Sequence, residues 1–183
     1  MFVKKACSIT DQKICTGSDV AAIDIGSGPG QLRLIGGYRA PSNGKDENFS
    51  FYNTLRKLIQ IDYKAIVIAD FNAHLSYFDK SSDAAGYELE DFCTSTNKMN
   101  INISNRCKGK HTYTEGKKKS TIDYVVANEK GSNRIEQMEV DEEKVHNVGS
   151  DHNMIIVTGK NISRYYVNWQ FKGYSRMCIC SPK

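Results

Sequence analysis

Three segments far apart in the chain each place a carboxylate beside an apolar run: 65–74, 120–126 and 149–157. Each run is short and rich in β-branched residues, which predicts a β-strand. A carboxylate buried beside such a strand costs free energy unless another group compensates it. Three such costs in one small chain predict a site that binds a metal ion and cleaves a phosphodiester. Its predicted residues are Asp70, Asp123 and Asp151, with Asn72 and His152 alongside.

Asp70 and Asn72 follow the first of these runs. Alternate residues of an extended segment point the same way, so both side chains are expected on one side of the strand. They lie at its carboxyl end, where α/β sheets commonly bind ligands. Asp70 can accept a proton from water, and Asn72 can orient that water or a phosphate oxygen. The alternative is an Asp-x-Asn turn that only ends the strand.

The other two carboxylates are placed to act with an imidazole. After Gly149, Asp151 and His152 can fan around one cavity. Asp151 suits a hard divalent cation, and His152 can stabilise phosphoryl charge or move a proton. Asp123, inside its strand, can hydrogen-bond an imidazole and fix its tautomer. The alternatives are a solvated turn at 150–152 and an ion pair between Asp123 and a nearby lysine.

The composition narrows the class of protein. The chain has 183 residues, a net charge of +4 and six cysteines. This length predicts one domain, or one domain with a tail, and the mild charge permits a polyanionic partner without requiring one. The cysteines form no Cys-x-x-Cys pair, which favours reduced thiols in an intracellular protein over a zinc site. No apolar run is long enough for a bilayer and no signal core begins the chain, so neither membrane insertion nor secretion is expected.

The order of elements predicts layered α/β construction, because strand, helix and strand follow one another. One or two strands are expected in 1–25, and others at 31–38, 65–70, 100–104 and 153–157. Helices are expected at 46–60, where apolar residues recur at helical spacing, and at 87–98. Residues 134–148 are polar and are expected to form a loop.

A β-hairpin with a cationic tip is predicted at 112–123. Its lysines are Lys117, Lys118 and Lys119. Such lysines are usually just solvated, but beside a catalytic site they can contact a phosphate backbone. After residue 159, aromatic and cationic residues interleave, which is typical either of a tail that stacks on nucleic acid or, as we prefer, of a linker. The predicted domains are 1–159 and a basic-aromatic tail at 160–183.

Five motifs resemble those of the endonuclease/exonuclease/phosphatase superfamily, and most of all the apurinic-type endonuclease domains of non-LTR (LINE-like) retrotransposons. They are 34–42 (Leu-Ile-Gly-Gly-Tyr-Arg-Ala-Pro-Ser), 68–74 (Ile-Ala-Asp-Phe-Asn-Ala-His), 111–114 (His-Thr-Tyr-Thr), 120–123 (Ser-Thr-Ile-Asp) and 150–152 (Ser-Asp-His). Each motif is modest alone, but five in the family's order and approximate spacing are specific. The resemblance extends from about the start of the chain to Val157. It implies a DNase I-like layered α/β sandwich.

The resemblance also implies a function: a metal-dependent phosphodiesterase, a retrotransposon DNA endonuclease that uses activated water and Mg²⁺ or Mn²⁺. Its partner would be DNA, with no membrane, and the protein would be a monomer, nuclear if functional. By the same resemblance Tyr38 contacts the scissile phosphate, while Asp70 and Asn72 activate and position water. Asp123 orients the catalytic His152. The implied metal carboxylate is Asp151, and the implied nucleic-acid contacts are Arg39, Thr112, Ser150 and the three hairpin lysines.

The chain departs from the family's pattern upstream of Tyr38. There the family carries an Asn near the phosphate and a Glu that is a principal metal ligand, whereas the acids of this segment lack that context. They are Asp11, Asp19 and Asp24. We therefore expect an N-terminally truncated domain with strands missing. One alternative function is a catalytically dead retrotransposon relic that at most binds nucleic acid. Another keeps the superfamily but changes the substrate to a phospholipid, an inositol phosphate or an RNA tail, against which the Tyr-Arg-x-Pro-Ser motif weighs.

Overall fold

The computed structural model describes residues 2–3, 9–15, 19–41, 45–59, 64–146, 149–159, 162–167 and 178–179. Its strands are β1 Phe2–Val3, β2 Ile9–Cys15, β3 Val20–Ile25, β4 Leu32–Tyr38, β5 Lys64–Asp70, β6 Met99–Asn100, β7 Cys107–Lys108, β8 Tyr113–Glu115, β9 Lys118–Ser120, β10 Asp123–Ala127, β11 Ile135–Val140, β12 Ile155–Gly159, β13 Ile162–Val167 and β14 Cys178–Ile179. The α-helices are α1 Lys45–Leu58, α2 Ala84–Ser95 and α3 Glu129–Ser132. Ser42 and most of the predicted tail, including its aromatic residues from 168 to 176, lie outside the described residues.

Six strands form the central sheet, in the order β2-β3-β4-β5-β10-β6. β5 runs parallel to β4 and antiparallel to β10. It is buried on both faces: Val67 and Ala69 belong to one apolar cluster, and Ile66 and Ile68 to another. A strand covered on both faces reads as a continuous apolar run, which is why the sequence shows no polar alternation before Asp70.

The two apolar clusters define three layers. In the first, Phe51 of α1 and Leu89 of α2 pack against one face of the central sheet. In the second, residues of the opposite face meet Met138 and Ile155 from a four-stranded sheet in the order β13-β12-β11-β7. A helical layer, the central sheet and the second sheet therefore stack in that order. The expected layered α/β sandwich is confirmed. Among the described residues, no helix has the length and hydropathy needed to cross a bilayer.

Most predicted elements are confirmed with small shifts in their ends. The strands expected at 1–25, 31–38, 65–70 and 153–157 are found, and the hairpin appears as β8 and β9 with Gly116 in a left-handed turn (φ 58°). The helix expected at 87–98 instead begins at Ala84. Asp83 caps it by accepting the Gly86 N–H, so the start signal was the aspartate four residues upstream of the predicted first residue.

Two predicted elements are wrong. The expected loop at 134–148 contains strand β11, whose register against β12 shifts between Ile135 and Gln137. This bulge interrupts the two-residue alternation, so the segment reads as polar. The strand expected at 100–104 shrinks to the two residues of β6, followed by a 3₁₀ turn at Ile101–Ile103. The turn begins because the Asn100 side chain accepts the Asn102 N–H.

Candidate active site

Three of the predicted functional residues lie in one row across the central sheet. Tyr38 at the end of β4 pairs with Asp70 at the end of β5, and Asp70 pairs with Asp123 at the start of β10. Side chains alternate along a strand, so residues in step with Ile66 and Ile68 of β5 point toward the second sheet. The register therefore brings together residues that are 32 and 53 positions apart, on one face of the sheet.

His152 completes a compact buried group with the two carboxylates. Its Nδ1 lies 3.0 and 3.2 Å from the two carboxylate oxygens of Asp123. Its Nε2 lies 4.0 Å from Asp70 Oδ2. Each of the three residues offers a ligand atom within 4.8 Å of the others. Asp70 and Asp123 are only 1% and 0% exposed, so the group is almost entirely withdrawn from water.

The backbone around Asp123 is held by buried side chains. Thr112 Oγ1 accepts the N–H groups of Ile122 and Asp123, each at 3.0 Å. Asn102 Nδ2 donates to the Asp123 carbonyl, and Asn102 Oδ1 accepts the Val125 N–H. The Asn102 amide thus extends the edge of β10 where β6 has already ended. These hydrogen bonds hold the backbone on both sides of Asp123, whose carboxylate contacts His152.

Asn72 reaches Asp70 through a turn and not through a continued strand. Its backbone is left-handed (φ 45°), and its N–H donates to Asp70 Oδ1 at 2.9 Å. Its side-chain Nδ2 donates to the Arg39 carbonyl at 2.8 Å. The Asp-x-Asn turn considered as an alternative is therefore present. It also accounts for the proximity of the two side chains, so the argument from strand alternation was wrong for Asn72.

The residues from 150 to 152 lead into the site without continuing a strand. Ser150 is buried, and its Oγ accepts the His152 N–H at 3.1 Å. Asp151 is exposed, and its carbonyl accepts the Thr114 N–H at 2.8 Å. Asp151 is not one of the three residues whose ligand atoms cluster within 4.8 Å. Its carboxylate nevertheless acts on the imidazole, since its charge contributes to the pKa of His152.

The predicted nucleic-acid contacts divide into exposed and buried groups. Lys117, Lys118 and Lys119 are exposed on the hairpin. Thr112 is 0% exposed and is occupied by two backbone N–H groups. Arg39 is also buried, with its guanidinium donating to Glu88 and to the Phe71 carbonyl. The structure therefore places the lysines on the surface and turns Thr112 and Arg39 inward.

The electrostatics of the group favour a protonated imidazole. Burial by itself lowers the pKa of His152, but its hydrogen bond to Asp123 and the charges of Asp123, Asp70 and Asp151 outweigh burial and raise the pKa to about 9. Burial, and then the negative charge of Asp123, raise the pKa of Asp70. At neutral pH His152 therefore carries a proton. Asp70, buried beside the negative charge of Asp123, binds a proton more readily than a solvated carboxyl group does.

Sequence reasoning gave no role to Tyr113. Its ring meets the His152 ring edge to face, with centroids 5.2 Å apart, and the two residues form an isolated antiparallel bridge. Tyr113 OH donates to Glu115 at 3.1 Å. The only signal for Tyr113 in the sequence was the motif at 111–114, where this aromatic residue lies between two threonines. Asn102 gave no comparable signal, because its partners lie more than 20 residues away.

Comparisons with known proteins bear on the family and the fold. A family model described as endonuclease-reverse transcriptase matches residues 32–156. No curated protein sequence matches the chain. The endonuclease domain of TRAS1, a telomere-specific non-LTR retrotransposon, is similar with a TM-score of 0.63 at 20% identity, over 78% of this chain and 64% of that domain.

Two further solved structures share the fold. An endonuclease/exonuclease/phosphatase family protein from Leptotrichia buccalis has a TM-score of 0.61 at 16% identity, with 84% of this chain and 62% of that one covered. The 3′ phosphatase NExo from Neisseria, bound to a product DNA hairpin, has a TM-score of 0.61 at 12% identity, with 84% and 72% covered. The chain spans less than two thirds of the TRAS1 domain and of the Leptotrichia protein. At these identities the likeness shows the DNase I-like fold, and the family match covers most of the chain. The chain therefore belongs to the endonuclease–reverse transcriptase family of the endonuclease/exonuclease/phosphatase superfamily.

Proposed function

We propose that this chain is a metal-dependent phosphodiesterase, a DNA endonuclease of the retrotransposon type that hydrolyses a phosphodiester with an activated water. The observation that carries the proposal is the buried Asp123–His152 pair beside Asp70, in one row with Tyr38. An oriented imidazole next to a second carboxylate can stabilise phosphoryl charge and accept a proton from an attacking water. A fold that only binds nucleic acid has no need to bury two carboxylates.

Each residue of the row has a distinct role. Asp123 fixes the orientation of His152 and favours its protonated form, so the imidazolium can stabilise negative charge on the phosphoryl oxygens. Asp70 accepts a proton from the attacking water, and Asn72 holds that water or a phosphate oxygen. The Tyr38 hydroxyl contacts the scissile phosphate. Most of the rate enhancement comes from placing these charges before the reaction begins.

The residues present also fit a hard divalent cation. Two buried carboxylates and one imidazole offer ligand atoms within 4.8 Å of one another, which is a donor set that such an ion could use. Both oxygens of Asp123 face His152 and Asp70 is proposed to accept a proton from water, so Asp151, exposed beside the imidazole, is the carboxylate that would hold the ion. Mg²⁺ is commonly bound through one or two carboxylates with water and substrate phosphate. When bound, such an ion polarises the phosphoryl group and stabilises the leaving oxygen.

DNA is the proposed substrate, and the exposed hairpin lysines are its proposed contacts. The hairpin begins at Tyr113, against the His152 ring, so its cationic tip projects from the edge of the site. Lysines near a phosphate backbone supply affinity without reading sequence. One similar protein, NExo, is bound to a DNA hairpin, which favours DNA over a lipid headgroup or an inositol phosphate.

The test is nicking of supercoiled plasmid by the purified chain in Mg²⁺ or in Mn²⁺. Wild type is expected to yield open circles, and EDTA is expected to abolish them. The Asp70→Ala, His152→Ala double variant removes the proposed machinery, while His146→Ala removes a half-exposed histidine outside it. His146→Ala should nick like wild type. If wild type nicks no more than the double variant while both are folded by circular dichroism, the chain is catalytically dead, and a gel-shift assay then measures whether it binds DNA.

A further inference from the structure

A buried arginine joins the two residues proposed to handle the attacking water. Arg39 follows β4 directly, and its N–H donates to the Asp70 carbonyl at 2.8 Å. Its own carbonyl accepts Asn72 Nδ2 at 2.8 Å. The main chain of this one residue therefore contacts both Asp70 and Asn72. Any shift of Arg39 changes where the Asn72 amide lies relative to the Asp70 carboxylate.

The Arg39 guanidinium is held from the helical layer. Its NH1 donates to the Phe71 carbonyl at 3.4 Å, and its NH2 donates to Glu88 Oε2 of α2 at 3.1 Å. The Arg39 side chain is 6% exposed and that of Glu88 is 41% exposed. Arg39 thus links the helix to the peptide between Asp70 and Asn72. Charge-assisted hydrogen bonds of this kind are stronger than neutral ones and fix geometry.

The same helix is pressed against the loop that follows Asn72. A Cβ added to Gly86 would lie 2.0 Å from the His74 carbonyl oxygen, so α2 and this loop meet without an intervening side chain. Glu88 lies two residues further along α2. The helix therefore contacts the loop at one point through bare backbone and at a second point through the Arg39–Glu88 pair.

The buried polar groups around Arg39 cost free energy if their only role is to pack the interior. Arg39 Nε and the hydroxyl of Tyr52 are both buried, and neither has a hydrogen-bond partner among the described residues. Both lie close to the ion pair, because the charges of Arg39 and Glu88 act on the Tyr52 hydroxyl. An unpaired buried donor is destabilising, and an apolar side chain would fill this space without that cost. The cost favours a positioning role.

We propose that Arg39, held by Glu88, is a positioning residue that sets the left-handed turn at Asn72 and so aligns the Asn72 amide with Asp70. The inference rests on the proposed endonuclease function. It gives Arg39 a role behind the site, in place of the direct contact with nucleic acid that the sequence predicted. It also gives α2 a part in the chemistry through Glu88, a residue that touches no substrate.

The experiment compares two pairs of variants in the full chain. Arg39→Lys and Glu88→Ala break the buried link, whereas Arg56→Lys and Asp91→Ala break a surface pair whose charges are 4.0 Å apart across α1 and α2. The readouts are kcat and KM for plasmid nicking and the hydrogen exchange rate of the Asn72 backbone N–H, measured by NMR. The first pair should lower kcat about tenfold with KM unchanged, because small displacements of positioning groups slow the chemical step. The Asn72 N–H should exchange faster in both.

The control pair should change neither readout, and Glu88→Gln, which keeps an acceptor for Arg39, should restore most of kcat. Unchanged kcat and unchanged Asn72 exchange in the first pair would overturn the proposal. A raised KM with unchanged kcat and exchange would also overturn it and assign Arg39 to nucleic-acid contact. If wild type itself does not nick DNA, the endonuclease proposal fails, while the Asn72 exchange rates still decide whether Arg39 and Glu88 hold this turn.

Discussion

The candidate site has two halves that treat charge in opposite ways. The buried half, Asp70, Asp123 and His152, keeps its charges out of water and compensates them with one another. The hairpin half, Tyr113 to Ser120, carries three lysines that are exposed to solvent. Coulombic interactions are strong in the buried half and screened in the hairpin half. On the proposed function, orientation and reactivity therefore belong to the first half and affinity to the second.

The two halves meet at two residues. Thr112, the residue before β8, accepts the backbone N–H groups that lead into Asp123. Tyr113, the first residue of the hairpin, pairs with His152. A change in the hairpin tip therefore has no direct route to the carboxylates, but a change at its base does. The predictions below test this division, from the largest expected effect to the smallest.

Replacing Asp123 with Asn should give the largest effect. The Asn amide keeps the shape of the side chain but removes the negative charge and allows the wrong imidazole tautomer at His152. We expect kcat for plasmid nicking to fall about 10³-fold, equivalent to about 4 kcal/mol of transition-state stabilisation. Single-turnover cleavage measures it. Asp91→Asn, which neutralises an exposed carboxylate of α2, is the control. A loss of less than about tenfold would show that the buried half does not carry the chemistry.

Thr112→Val should be the most destabilising change at the junction. Valine has nearly the same shape but no acceptor, so two buried N–H groups of 122 and 123 lose their partner. Each such loss costs about 1–3 kcal/mol, and we expect the free energy of unfolding to drop by about 2–4 kcal/mol in urea denaturation. Thr114→Val is the comparison within the hairpin, because Asn153 keeps a second acceptor, the His111 carbonyl. Equal losses for both variants would remove the distinction between the halves.

These residues also show what sequence reasoning can and cannot reach. Asp70 and Asp123 were found because each adjoins a run of β-branched residues, and that local pattern survives in β5 and β10. The row they form was not derivable from pattern alone. It depends on one parallel and one antiparallel pairing, between segments separated by 32 and 53 residues, and strand partners are a long-range property. The family resemblance supplied what local periodicity did not.

The misses have the same physical origin. Arg39 reads as a surface cation, because Glu88, which draws it inward, lies 49 residues away. Asn102 reads as part of a strand, because its role is to replace a strand beside β10. The bulge at Ile135 interrupts the alternation of buried and exposed residues in β11, so the sequence pattern does not indicate this strand. In each case a tertiary partner overrides the local preference of the segment.

Removing the hairpin charges should weaken binding and leave the chemical step alone. We expect the Lys117→Ser, Lys118→Ser, Lys119→Ser variant to bind DNA more weakly, with the slope of log K against log salt reduced by about 2–3, since each phosphate contact contributes about 0.9. The kcat at saturating DNA should be unchanged. Fluorescence anisotropy across a salt series measures the slope. The control variant removes three other exposed lysines, Lys57, Lys80 and Lys130, and has the same net charge. An identical slope in both variants would mean that the hairpin lysines affect DNA binding only through the net charge of the protein.

The smallest expected effect concerns how the base of the hairpin half is held at acid pH. Glu142, just after β11, accepts the N–H groups of Lys110 and His111. Burial raises its pKa, but these two hydrogen bonds and the charges of His111 and Lys119 outweigh burial and lower it. A carboxyl with a lowered folded-state pKa adds stability that is present above its ordinary value of 4.5 and is lost as the pH falls through the folded value.

Glu142→Gln should therefore be less stable than wild type at pH 7, by less than about 1 kcal/mol because the group is largely solvated and screened. The difference should shrink as the pH falls below 4.5, where wild type loses the same charge. Urea denaturation at a series of pH values follows it. A difference that stays constant across that series would mean that the hydrogen bonds to residues 110 and 111 do not depend on the carboxylate charge. The base of the hairpin would then be held by hydrogen bonds that are independent of charge. Residues 110 and 111 would belong with the buried half, and the boundary between the halves would lie at Lys110 and not at Thr112.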